Sequence, residues 1–262
     1  MNLVQYEAAA PGVAIVRLNR PDKLNAFSLP LERELLAALE RACADEEVRA
    51  VVLAGAGRGF SGGWDLGESD LTSAETQPLS TRAGQHTWLR LIRLLRRPDK
   101  VFIAAVHGWA AGQGLELCIA SDMILAAEDA RFYFAEVRVG FNMTSGVAKV
   151  LPLLVGLGNA KRLALTGAKI DAAEALRMGL VVEVTPAGGH EARALELAAE
   201  VTQGAPLAVA AQKRLFDAAL EMSLAAVQDF EVMSSLRLTE TEDHQEAKRA
   251  FAEKRPPKFT GS

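Results

Sequence analysis

Hydrophobic positions along this chain follow two rhythms, and the change between them near residue 190 divides it. Val13–Leu18, residues 48–54, Val101–Val106 and Met123–Ala127 are apolar runs of strand length. Runs that are apolar at nearly every position belong to strands covered on both faces. Shorter strands are expected around Phe132 and over residues 180–184. Between the strands, apolar residues recur at helical spacing. Residues 28–44 predict an amphipathic helix with Ser28 as N-cap, Pro30 in the first turn, and Leu31, Leu35, Leu36 and Leu39 on one face. Helices are also expected over residues 88–97, 112–120, 146–155, 159–165 and 171–178, the last closed by Gly179. Residues 66–85 are polar and read as an irregular, flexible segment.

Beyond residue 190 the strand signals stop. Helices are expected over 190–203, 206–220, 223–238 and 242–253. The alternation of strands and helices before that point predicts an α/β core with parallel pairing and crossover helices. The chain therefore divides into a core over 1–190 and a helical region over 191–262.

Composition narrows the class. The chain has 262 residues, half of them hydrophobic, which is enough to bury a sizeable core. The net charge is −4, with basic residues scattered among acidic ones, so no charge-built nucleic-acid surface is expected. The two cysteines, Cys43 and Cys118, fall in apolar helical patterns and read as buried free thiols. No secretory leader and no spanning apolar segment are visible, so a cytoplasmic protein is the expectation.

Candidate chemistry centres on Glu116 and Glu136. Each follows an apolar run that ends in a turn or helix start, which would hold a carboxyl rigidly and partly dry. Two such groups on one pocket can divide acid and base roles. Each also has a plain structural reading: Glu116 as a first-turn helix residue, and Glu136 as a partner for Arg131 or Arg138. His107 reads as a structural histidine. His86 and His190 fall in expected loops and His244 among helix charges, without metal-ligand spacing, so no metal is expected. Ser61 lacks a nucleophile-elbow context, and the glycines of residues 55–59 lack the register of a dinucleotide loop.

Four patches, in order, resemble the enoyl-CoA hydratase/isomerase family, the crotonase superfamily. They are Leu18-Asn19-Arg20-Pro21-Asp22-Lys23-Leu24-Asn25-Ala26; Gly59-Phe60-Ser61-Gly62-Gly63-Trp64-Asp65-Leu66; residues 104–117 followed by Ala120-Ser121-Asp122; and residues 132–140. The resemblance covers essentially the whole chain. It implies a spiral of β-β-α repeats with a C-terminal helical region used in trimer or hexamer assembly. It implies an acyl-CoA thioester as substrate, with coenzyme A belonging to the substrate and no separate cofactor. It implies that backbone N–H groups of Trp64 and Gln113 form an oxyanion hole. It makes Glu116 and Glu136 the catalytic carboxylates, Glu116 mainly for water and Glu136 mainly for the proton at the carbon next to the thioester. Ala26, Asp65 and Leu66 would line the CoA channel, and Phe251 and Lys254 would reach CoA from the C-terminal helix. No nucleic acid or membrane partner is implied.

The chain departs from the family pattern at three places. Trp64 stands where a small residue is usual, Gln113 replaces a glycine, and Met143-Thr144-Ser145-Gly146 replaces the P-G-x-G-G-T segment that helps hold water in hydratases. Hydration of a 2-enoyl-CoA is the expected reaction. A double-bond isomerase relying on Glu136, or a catalytically silent acyl-CoA binder with Trp64 blocking the site, are the alternatives.

Overall fold

The computed structural model describes residues 2–67 and 87–262. Beyond Gly67, the stretch expected to be irregular lies outside the described residues, as does His86. The four apolar runs form the centre of a six-stranded sheet: β2 (Val13–Leu18), β3 (Ala50–Gly55), β4 (Val101–Val106) and β6 (Met123–Ala127). With β1 (Val4–Ala10) and β9 (Glu183–Thr185) at the edges, the order is β1-β2-β3-β4-β6-β9. Only β1 runs antiparallel to its neighbour. A second sheet holds β5 (Trp109–Ala111) parallel to β7 (Arg131–Tyr133), with β8 (Lys169–Asp171) antiparallel on the far side.

The strand expected over 180–184 is shifted. Leu180 and Val181 are buried, but their N–H groups donate to Ala175 O, closing the preceding helix, so pairing starts only afterwards.

Alternation within the strands explains why they are apolar throughout. Ala14, Val16, Val51, Leu53, Phe102 and Ala104 face one core cluster, while Val13, Ile15, Val52 and Ile103 face another. Helices α1 (Leu29–Ala44) and α2 (Thr87–Leu95) supply Leu31, Leu35, Leu39, Trp88 and Leu91 to the first cluster. Ser28 Oγ caps α1 by accepting the Leu31 N–H at 3.3 Å. Four further helices follow: α3 (Gln113–Ala120), α4 (Val147–Val155), α5 (Leu157–Thr166) and α6 (Ala172–Met178). Helix α7 (His190–Thr202) covers the second cluster with Ala194 and Ala198, whose small side chains share one face. His190 opens this helix, as the pattern over 190–203 implies, and is buried rather than in a loop.

Helices α8 (Pro206–Ala219), α9 (Leu224–Thr239) and α10 (Glu242–Glu253) complete the chain. One buried cation ties α8 to the core. Lys213 Nζ lies 2.9 Å from Asp122 Oδ2 and donates to the Leu95 and Lys100 carbonyls at 2.8 Å each. Asp122 also accepts the Phe102 N–H at 2.7 Å, so the carboxylate is satisfied from both sides. Cys43 and Cys118 are buried and free.

Candidate active site

The first wall of the site is built around Asn25. Its backbone is left-handed, at φ 50°, a conformation asparagine tolerates better than most residues. Its buried side chain donates to the carbonyls of Ala56, Gly59 and Phe60 and accepts the Arg20 N–H at 2.8 Å. The loop after β3 is thereby folded back on the turn that precedes α1. Phe27 then donates its N–H to Gly63 O at 2.7 Å and accepts the Asp65 N–H at 2.9 Å. This parallel bridge leaves Trp64, the residue between, with its own N–H turned to the opposite side.

On that side lies the start of α3. Gly112 has φ 49° and donates its N–H to Tyr133 O at 2.8 Å. Gln113 is the first helical residue, so its N–H has no partner within the helix. Neither the Trp64 nor the Gln113 N–H has an acceptor among the described residues. Gly63 brings them together: at φ 87°, a Cβ there would sit 2.8 Å from Ala111 O and 3.5 Å from the Gln113 nitrogen. Two unpaired N–H groups beside a helix N-terminus favour an oxygen carrying negative charge.

Glu116 and Glu136 reach this place from different directions. Parallel pairing of β5 with β7 matches Trp109 with Arg131 and Ala111 with Tyr133, so the segments leaving both strands emerge side by side. Glu116 follows in α3 and is 2% exposed. Glu136 opens a short 3-10 helix over Glu136–Arg138, and its Oε1 lies against Gly112. The structural reading of Glu136 fails: Arg138 donates to Thr166 O and Arg131 to the Glu128 and Ala130 carbonyls.

The two carboxyls are equipped differently. Glu116 accepts the Thr144 N–H at 3.2 and 3.3 Å, the Thr144 hydroxyl at 3.2 Å, and the Ser145 hydroxyl in a closer contact. Ser145 Oγ in turn accepts the Trp88 indole N–H at 2.8 Å. An indole N–H only donates, so the one Ser145 proton is directed at Glu116. The segment that departs from the family pattern therefore supplies donors to Glu116. Glu136 Oε2 is buried without a partner among the described residues. Burial raises Glu136 to about 7; its own N–H opposes this, while the neighbouring Glu116 carboxyl adds to the rise.

Helix α1 adds a third acid that the sequence reading passed over. Glu32 is 2% exposed, and its Oε1 accepts the Gln113 side-chain N–H at 2.6 Å. Burial raises it to about 7, and the Gln113 hydrogen bond opposes the shift. Asn25, Trp88, Thr144 and Ser145 were likewise not singled out as site residues. Asn25 lies within the first family patch and Thr144 and Ser145 within the segment that departs from the pattern, whereas Trp88 carries no local signal.

The remaining candidates divide. Ala26 and Asp65 meet through Arg20, whose Nη1 lies 3.1 Å from Ala26 O and 2.9 Å from Asp65 Oδ2. Leu66 follows on the surface. The Trp64 indole is partly buried against the main core cluster. Phe251 and Lys254, at the end of α10, make no hydrogen bond or ion pair to the site among the described residues, and Phe251 is 89% exposed. His107 lies with its ring 4.6 Å from that of His190 and shares a 2.9 Å hydrogen bond with Gly57 O, apart from the carboxylates.

Sequence comparison agrees with the fold: the chain belongs to the enoyl-CoA hydratase/isomerase family, whose profile matches residues 8–262. It is similar to the "Probable enoyl-CoA hydratase" of Rhodobacter capsulatus, with 39% identity over 98% of both chains. The short-chain-enoyl-CoA hydratase of Clostridium acetobutylicum is 34% identical over 93% of this chain and 92% of its own. The crystal structure of an enoyl-CoA hydratase from Bacillus anthracis superposes with a TM-score of 0.90 at 31% identity, covering 99% of this chain and all of the other.

Proposed function

We propose that this chain adds water across the double bond of a 2-enoyl-CoA thioester to give a 3-hydroxyacyl-CoA. The observation that carries the reading is the unequal pair Glu116 and Glu136 beside two unpaired backbone N–H groups. The thioester oxygen accepts from the Trp64 and Gln113 N–H groups. Glu116, acceptor to Thr144 and Ser145, takes a proton from water as its oxygen bonds to C3. The double-bond electrons move onto the thioester oxygen as an enolate, where the two donors and the α3 dipole stabilise the charge. Glu136, the protonated partner, delivers its proton to C2 as the enolate collapses. Proton exchange with solvent then returns Glu116 to the carboxylate and Glu136 to the acid, so both regain their starting states.

Coenzyme A enters with the substrate. Ala26, Asp65 and Leu66 line its channel in this reading, and Phe251 and Lys254 reach it from a neighbouring copy in a homotrimer or homohexamer. Exposed apolar residues support assembly: Leu153, Leu157, Leu165 and Phe216 are each more than half exposed. A cytoplasmic setting belongs to the same proposal.

Isomerisation by Glu136 is the second reading, favoured by the crowding of donors on Glu116 Oε2, which leaves less room for water. Incubation with crotonyl-CoA and, separately, with a 3-enoyl-CoA decides between them. Loss of the enoyl-thioester absorbance supports hydration. Conversion of a 3-enoyl to a 2-enoyl thioester without hydration supports isomerisation. Tight CoA binding with no turnover of any acyl thioester removes both.

A further inference from the structure

Glu32 is an expensive residue in its position. It is buried, no ion pair reaches it among the described residues, and its Oε2 has no hydrogen-bond partner there. A buried carboxyl with one unsatisfied oxygen destabilises a fold, and an apolar side chain of similar size would pack better. Its one polar contact is Gln113 Nε2, across 81 residues of sequence.

Gln113 has a particular problem that this contact answers. Its backbone N–H and that of Trp64 are unpaired. A glutamine side chain at the first helical position carries its own carbonyl oxygen within reach of such donors, as capping side chains do. Released, it would compete with the thioester oxygen for the same N–H groups. Held by Nε2 on α1, it cannot.

We propose that Glu32 is a positioning residue: it tethers the Gln113 side chain to α1 and so keeps the Trp64 and Gln113 N–H groups open for the thioester oxygen. The proposal rests on the reading of those two N–H groups as the oxyanion donors.

The test combines Glu32→Met, Glu32→Gln and Gln113→Gly with the double variant of Glu32→Met and Gln113→Gly. Two readouts are used: steady-state hydration of crotonyl-CoA, and the infrared carbonyl stretch of bound butyryl-CoA labelled at the thioester carbon. Glu32→Met should lower kcat/KM by about tenfold, the worth of one competing hydrogen bond. Its bound thioester stretch should move back toward the value in water, and its Tm should not fall. Glu32→Gln, which keeps the acceptor, should recover most of the loss. In the Gln113→Gly background, where no side chain needs holding, Glu32→Met should cause no further change. Equal losses in both backgrounds, an unchanged carbonyl stretch in Glu32→Met, or a Glu32→Met protein that loses its fold would overturn the tether. A wild-type stretch equal to that in water would instead remove the oxyanion reading itself, and the tether with it.

Discussion

Glu136 is half-buried near Glu116, yet among the described residues the side-chain and backbone donors of Thr144 and Ser145 reach Glu116 alone, and Glu136 Oε2 has no partner. Burial and the neighbouring charge both disfavour a second ionised carboxyl, so the proton settles on Glu136, which the Thr144 and Ser145 donors do not reach. In the proposed mechanism that asymmetry gives Glu136 the acid role. Glu136→Gln should therefore lower hydration of crotonyl-CoA more than Glu116→Gln. Loss of a positioned acid–base group is worth about 10²–10⁴ in rate. Near-zero effects of both substitutions would take the pair out of the mechanism.

The pH dependence follows with a definite sign. Burial places Glu136 near 7, and in the proposed mechanism its protonated form is the active one. The kcat/KM for hydration should fall as pH rises through about 7 in the free enzyme. A profile flat across that range would mean the proton comes from elsewhere.

Ser145 is the link between Trp88 and Glu116. Ser145→Ala removes a donor from the carboxylate and should lower kcat by about tenfold, the worth of one hydrogen bond to a charged group. Trp88→Phe keeps an aromatic side chain but removes the indole N–H and frees the Ser145 hydroxyl to turn, so a smaller loss in the same direction is expected. Wild-type rates in Ser145→Ala would show that the remaining donors suffice.

Gly63 is where the backbone permits close approach. Gly63→Ala forces φ 87° on a residue with a Cβ, and that atom would lie 2.8 Å from Ala111 O. Stability should drop by about 1–3 kcal/mol, read as a lower denaturant midpoint. Hydration should fall more than stability explains, because the strain displaces one of the two donors.

Glu32 should leave a signature in stability. Its folded-state value is raised from the usual 4.5 to about 7, so between those limits the folded chain holds a proton the unfolded chain has lost. Stability therefore falls as pH rises through that window, by an amount of the order of 3 kcal/mol. Glu32→Gln lacks this loss. The gap in Tm between variant and wild type should widen in the variant's favour from about pH 5 to pH 8. Glu136 carries a slope of the same sign in both proteins and cancels in the comparison.

Much of this architecture was legible in the chain. β2, β3, β4 and β6 announce themselves as unbroken apolar runs, because a strand covered on both faces has no polar side. Ser28, Asp171 and Gly179 mark helix ends through local chemistry that needs no distant partner. The strands that escaped notice are of another kind. β1 is largely exposed and ends in three alanines, which favour no strand, and β5 and β8 are three residues each, too short for any periodicity to show.

Glu116 and Glu136 stood out because each follows an apolar run, and their family resemblance gave them roles. Their meeting, however, depends on the parallel register of β5 and β7, which forms only when the second sheet assembles. The donors on Glu116 come from 28 and 29 residues away, and the Glu32–Gln113 contact spans 81. Local sequence decides which segments are strands and helices, because backbone preference and burial pattern act over a few residues. Which carboxyl keeps its proton is decided by tertiary packing, because charge and desolvation depend on whatever the fold brings within a few ångströms.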